Sequence, residues 1–302
     1  MNNEVNLQNN SEKKSSVSLF AEISCLKEKI DLLEKKLDLL FLENSQNLEK
    51  NFNYIDKSFY RLNSVISRNL SISDLHHASF SKFRACHINS DMVVVGSGPS
   101  LNYFDNSIHF NKPIYIALNS AFQYNAINFD YLFIQDYSGL KEIMSLANNY
   151  RKGYCTKFYG ILPEHFKNQP PLCLIPEQEA FEANALRYRT DYVCTHLHQP
   201  QFAYDLLNSP LGDFHTVSLS ALQFALWTMP KKIYLVGLDC TNSGHFNNCN
   251  KNYLPTNEII NSFFKFKEFV KDYYPSIEII SINPIGLKGL FKDKYSKAFK
   301  NR

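Results

Sequence analysis

The chain has 302 residues, 44% of them hydrophobic and 20% charged, which supplies one large core or two modest ones and excludes wholesale disorder and fibrous repeats. Its formal net charge of +3 comes from 32 Lys and Arg against 29 Asp and Glu, too even a balance for a chain that lives on nucleic-acid phosphates, so no nucleic-acid partner is expected. Seven cysteines, odd in number and without a C-x-x-C, imply neither a disulfide framework nor a zinc ribbon and fit a reducing, cytoplasmic compartment. Met1-Asn2-Asn3-Glu4 lacks the basic-then-apolar order of a signal peptide. No run approaches the roughly 18 apolar residues of a membrane span.

Residues 1–16 are mostly Asn, Ser, Lys, Glu and Gln, a composition that predicts disorder. Over 17–50, Leu19, Ile23, Leu26, Ile30, Leu33, Leu37 and Leu40 recur at alternating spacings of four and three, which predicts a coiled-coil helix. Ile at two of the three a positions with Leu at every d position favours two parallel strands, so self-association into a dimer or higher oligomer is expected. Asn44, Asn47 and Asn51 continue the register with polar side chains, so the coil should loosen into a connector over 51–90.

Residues 91–302 alternate short β-rich runs (Met92 to Val95, Ile114 to Leu118, Tyr131 to Ile134, Phe158 to Leu162, Ile233 to Val236, Ile277 to Ile280) with longer amphipathic ones. Continuous apolar runs are those of strands buried on both faces, and helices are readable at Leu219 to Thr228 and Asn257 to Tyr273. A doubly wound, Rossmann-like α/β domain with a mostly parallel sheet follows. The span 163–215, with prolines at 170 and 171 and no clear period, is expected to be a lid or acceptor subdomain.

In such a sheet the residues just after each strand carry the chemistry. After the first strand comes Gly96-Ser97-Gly98-Pro99-Ser100-Leu101. Its glycines would let backbone approach a phosphate or nucleotide, but Leu101 replaces the third glycine of the dinucleotide fingerprint and no P-loop Lys follows. A tight strand-to-helix turn would leave the same pattern. Asn119-Ser120 and Gln135-Asp136 follow the next two strands, and Asp239, Thr241, Ser243 and His245 follow the run at 233–236. A carboxylate, hydroxyls and an imidazole in one loop suit phosphate or sugar binding with proton transfer, and His245 is the candidate general base. Cys240, His245 and Cys249 lack a fourth ligand for zinc. No Asp-x-Asp occurs, which disfavours a metal-held nucleotide diphosphate; no metal or cofactor is expected.

Val93 to Leu101, with Thr216-Val217-Ser218 opening a helix and Ile233 to Asp239 behind it, resembles the group containing the Campylobacter-type sialyltransferases (glycosyltransferase family 42), the Maf flagellin glycosyltransferases and the MptE-like pterin pyrophosphokinases. The resemblance covers about 91–285. It implies a CMP-activated nonulosonic acid donor, a cell-surface glycan acceptor and metal-independent transfer, with Gly96 to Ser100, Asn119, Gln135 or Asp136, and Thr216 to Ser218 holding the nucleotide. The family keeps tyrosines where Cys240, Thr241 and Ser243 stand here, and its catalytic histidine lies just before the last long helix, where Glu258 falls nearest. His245 and Glu258 are thus the two candidate bases.

Other readings are a magnesium-dependent MptE-like diphosphate transfer with Asp136 and Asp239 as ligands, a Maf-like transfer to protein, and a non-catalytic coiled-coil scaffold. From Gly286 to Arg302, Lys288, Lys292, Lys294, Lys297, Lys300 and Arg302 interleave with Leu287, Leu290, Phe291, Tyr295 and Phe299. On a helix these would form a basic amphipathic surface for peripheral contact with the inner membrane.

Overall fold

The computed structural model describes residues 2–105, 107–135, 140–161, 175–192, 200–247 and 256–301, with backbone alone at 2–23, 25, 60–69, 191 and 192. It divides into two compact units, Met1–Ser67 and Arg68–Arg302. The first is helical throughout: helix α1 runs Asn2–Phe80. The stretch expected to be disordered is therefore helical, because extending an existing helix costs little where each added residue gains a hydrogen bond and Asn and Ser are only mildly unfavourable.

Most of the expected connector belongs to α1 too, and its end enters the α/β core. Ile72, His76 and Phe80, spaced four apart, are buried. The Trp227 indole N–H donates to Phe80 O (3.1 Å) and the Ser79 hydroxyl to Arg187 O (2.7 Å). Among the described residues of this stretch, the large apolar side chains that reach the core are Ile72, Phe80, Phe83 and the half-buried Leu75. Among Ser and His they leave a faint pattern in the sequence.

Among the described residues the sheet has nine strands: β1 Asp91–Val95, β2 Ile114–Leu118, β3 Tyr131–Ile134, β4 Thr156–Ile161, β5 Leu186–Tyr192, β6 Leu211–Asp213, β7 Lys232–Val236, β8 Glu278–Ile282 and β9 Lys292–Lys294. They lie in the order β6-β5-β4-β3-β2-β1-β7-β8-β9, each pair parallel. The chain steps outward from β1 to β6, then returns to the other side of β1 for β7 to β9. Burial on both faces explains the unbroken apolar runs: Met92 and Val94 join one core, Val93 and Val95 the other.

Short helices α2 (Met144–Asn149) and α3 (Glu177–Glu182) cover one face. The other is covered by the end of α1, by α4 (Val217–Trp227) and by α5 (Thr256–Tyr273). Every residue of α4 is buried, so it reads as apolar all round, whereas α5 buries only Ile259, Phe263, Phe266 and Val270. Stacked and edge-on rings of Phe80, Phe83, Phe133, Phe158 and Phe224 fill the layer between α4 and the sheet. This is the Rossmann-like α/β fold expected.

Two expectations change. Within 163–215, the described residues supply α3, β5 and β6, so this span contributes two strands to the main sheet; 162–174 and 193–199 lie outside the described residues. The basic tail is not one amphipathic helix. It forms a turn, β9 and the four-residue helix α6 (Lys297–Lys300), with Leu287 and Leu290 buried in the core and Gly289 at φ +76° ending any helical run. No described helix is long and apolar enough to cross a membrane.

His76 holds α1 to the sheet edge. Arg189 N–H donates to its Nε2 (2.9 Å), and its Nδ1 lies 2.7 Å from Leu206 O, which can only accept, so Nδ1 carries the proton and the ring is neutral. Burial lowers its pKa from 6.5 to about 4. Above pH 6.5 both folded and unfolded rings are neutral; as the pH falls towards 4 only the unfolded ring gains a proton, so the folded state loses about 3 kcal/mol. Thermal unfolding between pH 7 and 4.5 should show this loss, and a His76→Gln variant, less stable at pH 7, should lack it.

Candidate functional site

The strand order reverses between β1 and β7, so the loops leaving their carboxyl ends diverge and open a crevice. At its base the loops touch backbone to backbone. Gly96 N–H donates to Val236 O and Gly98 N–H to Gly237 O, both at 2.8 Å. A Cβ at Gly96 would lie 2.6 Å from Gly237 O, and Gly237 itself sits at φ +62°, so glycine is required at both.

Asp239 locks the contact. Its buried carboxylate accepts the Ser100 N–H (2.8 Å) and the Ser100 hydroxyl, capping the 3-10 turn Pro99–Tyr103. A Cβ on Gly98 would stand 2.6 Å from Asp239 Cγ and 2.7 Å from Gly237 O. Glycine at 98 is thus required by the protein's own packing on the side where a Cβ would stand, while the residue also lines the pocket.

The loop after β7 folds back over the glycine loop. Phe246 N–H donates to Ser97 O (2.7 Å) and the Asn102 amide to Phe246 O (3.0 Å). This sets His245 Nδ1 2.7 Å from Ser97 Oγ. The Ser97 hydroxyl can accept from Nδ1–H or donate to Nδ1; in the first arrangement Nε2 is the basic nitrogen, the form a general base requires. Cys240, at φ +48°, is not a ready nucleophile, because burial and the adjacent Asp239 push its thiol up to about 12.

A buried relay shapes the opposite wall. Gln135 Oε1 accepts from Tyr188 OH (3.2 Å) and Ser220 Oγ (3.1 Å), while its Nε2 donates to Asp213 Oδ2 (2.6 Å). Asp213 Oδ1 accepts the N–H of His215 (3.0 Å), holding that residue at φ +62°, and His215 Nε2 lies 3.6 Å from the Glu258 carboxylate on α5. Thr216 then caps α4, its Oγ1 accepting Ser218 N–H (3.3 Å) and lying 2.7 Å from Ser218 Oγ. Asn119, at φ +47°, accepts Gln135 N–H (3.1 Å).

These walls enclose a pocket of about 370 Å³. Of the residues singled out by sequence, Gly96, Ser97, Gly98, Asn119, Gln135, Thr216, Ser218, Asp239, Thr241 and His245 line it. Pro99 and Ser100 instead form the turn beneath, and Ser120 and Ser243 lie off the lining. Glu258 is largely exposed and reaches the pocket only through His215. Asp136 and Cys249 lie outside the described residues. Among the described residues no group of three or more His, Cys, Asp and Glu is placed to hold a metal ion.

His215 and Asp213 escaped sequence reading because β6 is only Leu-Gly-Asp, too short for any periodicity. Asp-x-His immediately before a Thr-x-Ser helix cap was the available signal.

No protein-family model and no curated protein matches the chain. Among solved structures it is similar to a Maf glycosyltransferase from Magnetospirillum magneticum AMB-1, with 11% identity and a TM-score of 0.42 over 76% of this chain. The chain spans only 39% of that protein's length. It is also similar to the sialyltransferase CstII from Campylobacter jejuni, solved in complex with the substrate analogue CMP-3FNeuAc, with 14% identity and a TM-score of 0.38 over 68% of this chain and 84% of that one.

Gly98→Ala should lower the unfolding temperature of the ligand-free protein, by the roughly 1–3 kcal/mol of an overpacked site. A variant that melts like the wild type and changes only ligand affinity would return Gly98 to a ligand-contact role.

Proposed function

We propose that the chain is a glycosyltransferase that moves a sialic-acid-type sugar from a CMP-activated donor to a cell-surface glycan, without a metal. The observation that carries this reading is the pocket at the β1/β7 reversal, where hydroxyls of Ser97, Thr216, Ser218 and Thr241 and the first turn of α4 converge with two imidazoles. A site of about 370 Å³ is in the range for a small ligand. Hydroxyls and helix-terminal N–H groups suit a leaving group bearing one phosphate. The resemblance of Val93 to Leu101 and of the Thr216 to Ser218 cap supports CMP as the nucleotide.

In this reading His245 Nε2 takes the proton of the acceptor hydroxyl as its oxygen bonds to the anomeric carbon. The bond from that carbon to the phosphate oxygen breaks, and the electron pair leaves on CMP. This proton transfer requires the Ser97 oxygen to accept from Nδ1–H, which leaves Nε2 free to take the proton. A second assignment rests on His215, whose Nε2 stands 3.6 Å from the Glu258 carboxylate, within ion-pair reach but longer than a hydrogen bond. Glu258 would then act through His215. The magnesium-dependent alternative needs ligands at Asp136 and Asp239, and the Asp239 carboxylate is engaged by Ser100.

Thermal-shift titration with CMP, UDP, GDP and ATP, each with and without magnesium, tests the class. CMP should stabilise the chain without the ion, and stabilisation by ATP with magnesium alone would sink the proposal. Kinetics then test the base: His245→Ala should lower kcat by about 10² to 10⁴ with donor binding retained. Wild-type turnover in His245→Ala, with loss in His215→Ala, would transfer the role to the His215–Glu258 pair.

A further inference from the structure

Helix α1 carries an apolar stripe longer than the one its heptads predict. Leu26, Ile30, Leu33, Leu37 and Leu40 form the first run, and Phe41, Leu48, Phe52, Ile55 and Phe59 form a second, in which a full heptad step from Phe41 to Leu48 precedes spacings of four, three and four. All ten are between 47 and 66% exposed. The second run is displaced by one position: Leu40 and Leu48 are eight residues apart where a heptad would place seven. Asn44 and Asn51, which keep the old phase, marked an end to the coil only because the apolar positions had moved past them.

The displacement has a geometric effect. A strict seven-residue repeat drifts by about 20° per heptad around a straight helix, and one extra residue advances the face by about 100°. Over the five heptads from Leu26 to Phe59 the two nearly cancel. All ten side chains then fall within a sector of about 120° on an unsupercoiled helix, about 50 Å from end to end. Left in water, such a face would cost each large side chain roughly 1.5–3 kcal/mol of burial it could otherwise gain.

We propose that this whole stripe, from Leu26 to Phe59, is covered by the same stripe of another copy of this chain, parallel and in register. Two observations select that occupant. Ile30 and Leu37 at a with Leu26, Leu33 and Leu40 at d is the pattern of parallel self-pairing. Charge complements it: in that register the g residue Lys29 faces the e residue Glu34 of the other copy, and both are exposed. A partner of unrelated sequence would have no reason to match a one-residue shift at Leu40 to Leu48, whereas a second copy shifts at the same level.

Light scattering on the full chain should give twice 35.0 kDa or a higher whole multiple. Ile30→Asp and Ile55→Asp should each reduce it to 35.0 kDa, since the two runs act as one face. A wild-type mass of 35.0 kDa at all concentrations overturns the proposal, and a native mass in Ile55→Asp overturns the part beyond Leu40. Glu34→Lys, at an exposed position that leaves the helix intact by circular dichroism, should raise the dissociation constant about tenfold. Adding Lys29→Glu should restore it, and failure to restore overturns the parallel, in-register arrangement.

Discussion

The α/β domain depends on how closely the backbone leaving β1 approaches the backbone leaving β7. Gly96 and Gly237 present carbonyl oxygens where the other residue's Cβ would stand, 2.6 and 2.5 Å away, so no side chain fits on either loop at that level. The Asp239 carboxylate then ties the loops by accepting both the N–H and the hydroxyl of Ser100. Two parallel strands can be neighbours without such a clasp. With it, the loops are fixed relative to each other, and everything perched on them inherits that rigidity, including Ser97 and His245.

The clasp also explains why the segment after β8 matters to the site. Gly286 N–H donates to Asp239 O at 2.8 Å, and a Cβ there would lie 2.6 Å from the same oxygen. The Asp239 peptide is therefore held from three sides: by β7 behind it, by the Ser100 turn and by the Gly286 turn. Each oxygen of that carboxylate accepts one hydrogen bond from Ser100. The groups that remain in position for a ligand on this wall are hydroxyls and an imidazole.

Much of the domain was legible in the sequence because its strands are buried on both faces, and burial leaves continuous apolar runs: β1, β2, β3 and β7 stand within a residue of where those runs lie. The loop residues followed once the sheet was parallel, since topology alone sends carboxyl ends to one side. What stayed hidden was short or mixed. β6 has three residues and β9 reads Lys-Asp-Lys, and neither has a pattern to detect. Gly98 and Asp239 were read as ligand-binding types, which their chemistry allows. Only coordinates reveal that they touch each other, and a sequence carries no distance between positions 141 residues apart.

The two imidazoles of the pocket are supported by different physics. His245 stands on the β1/β7 clasp, where glycine packing and a buried carboxylate leave little freedom. His215 stands on the far wall, set by the relay from Tyr188 and Ser220 through Gln135 to Asp213. That wall is itself pinned by Gln223 of α4, whose Oε1 accepts Ala203 N–H (2.8 Å) and Gly212 N–H (3.1 Å). It is pinned also by His76, which joins Leu206 O to Arg189 N–H. Burial supplies the strength of this second support: its bonds lie where water cannot compete, and each broken one leaves an unpaired polar group. The first wall resists movement because its backbones cannot come closer, the second because its polar groups are hydrogen-bonded in the interior. A crevice between walls of these two kinds can present one imidazole in a fixed place and another whose position follows the hydrogen-bonding state of β5, β6 and the end of α1.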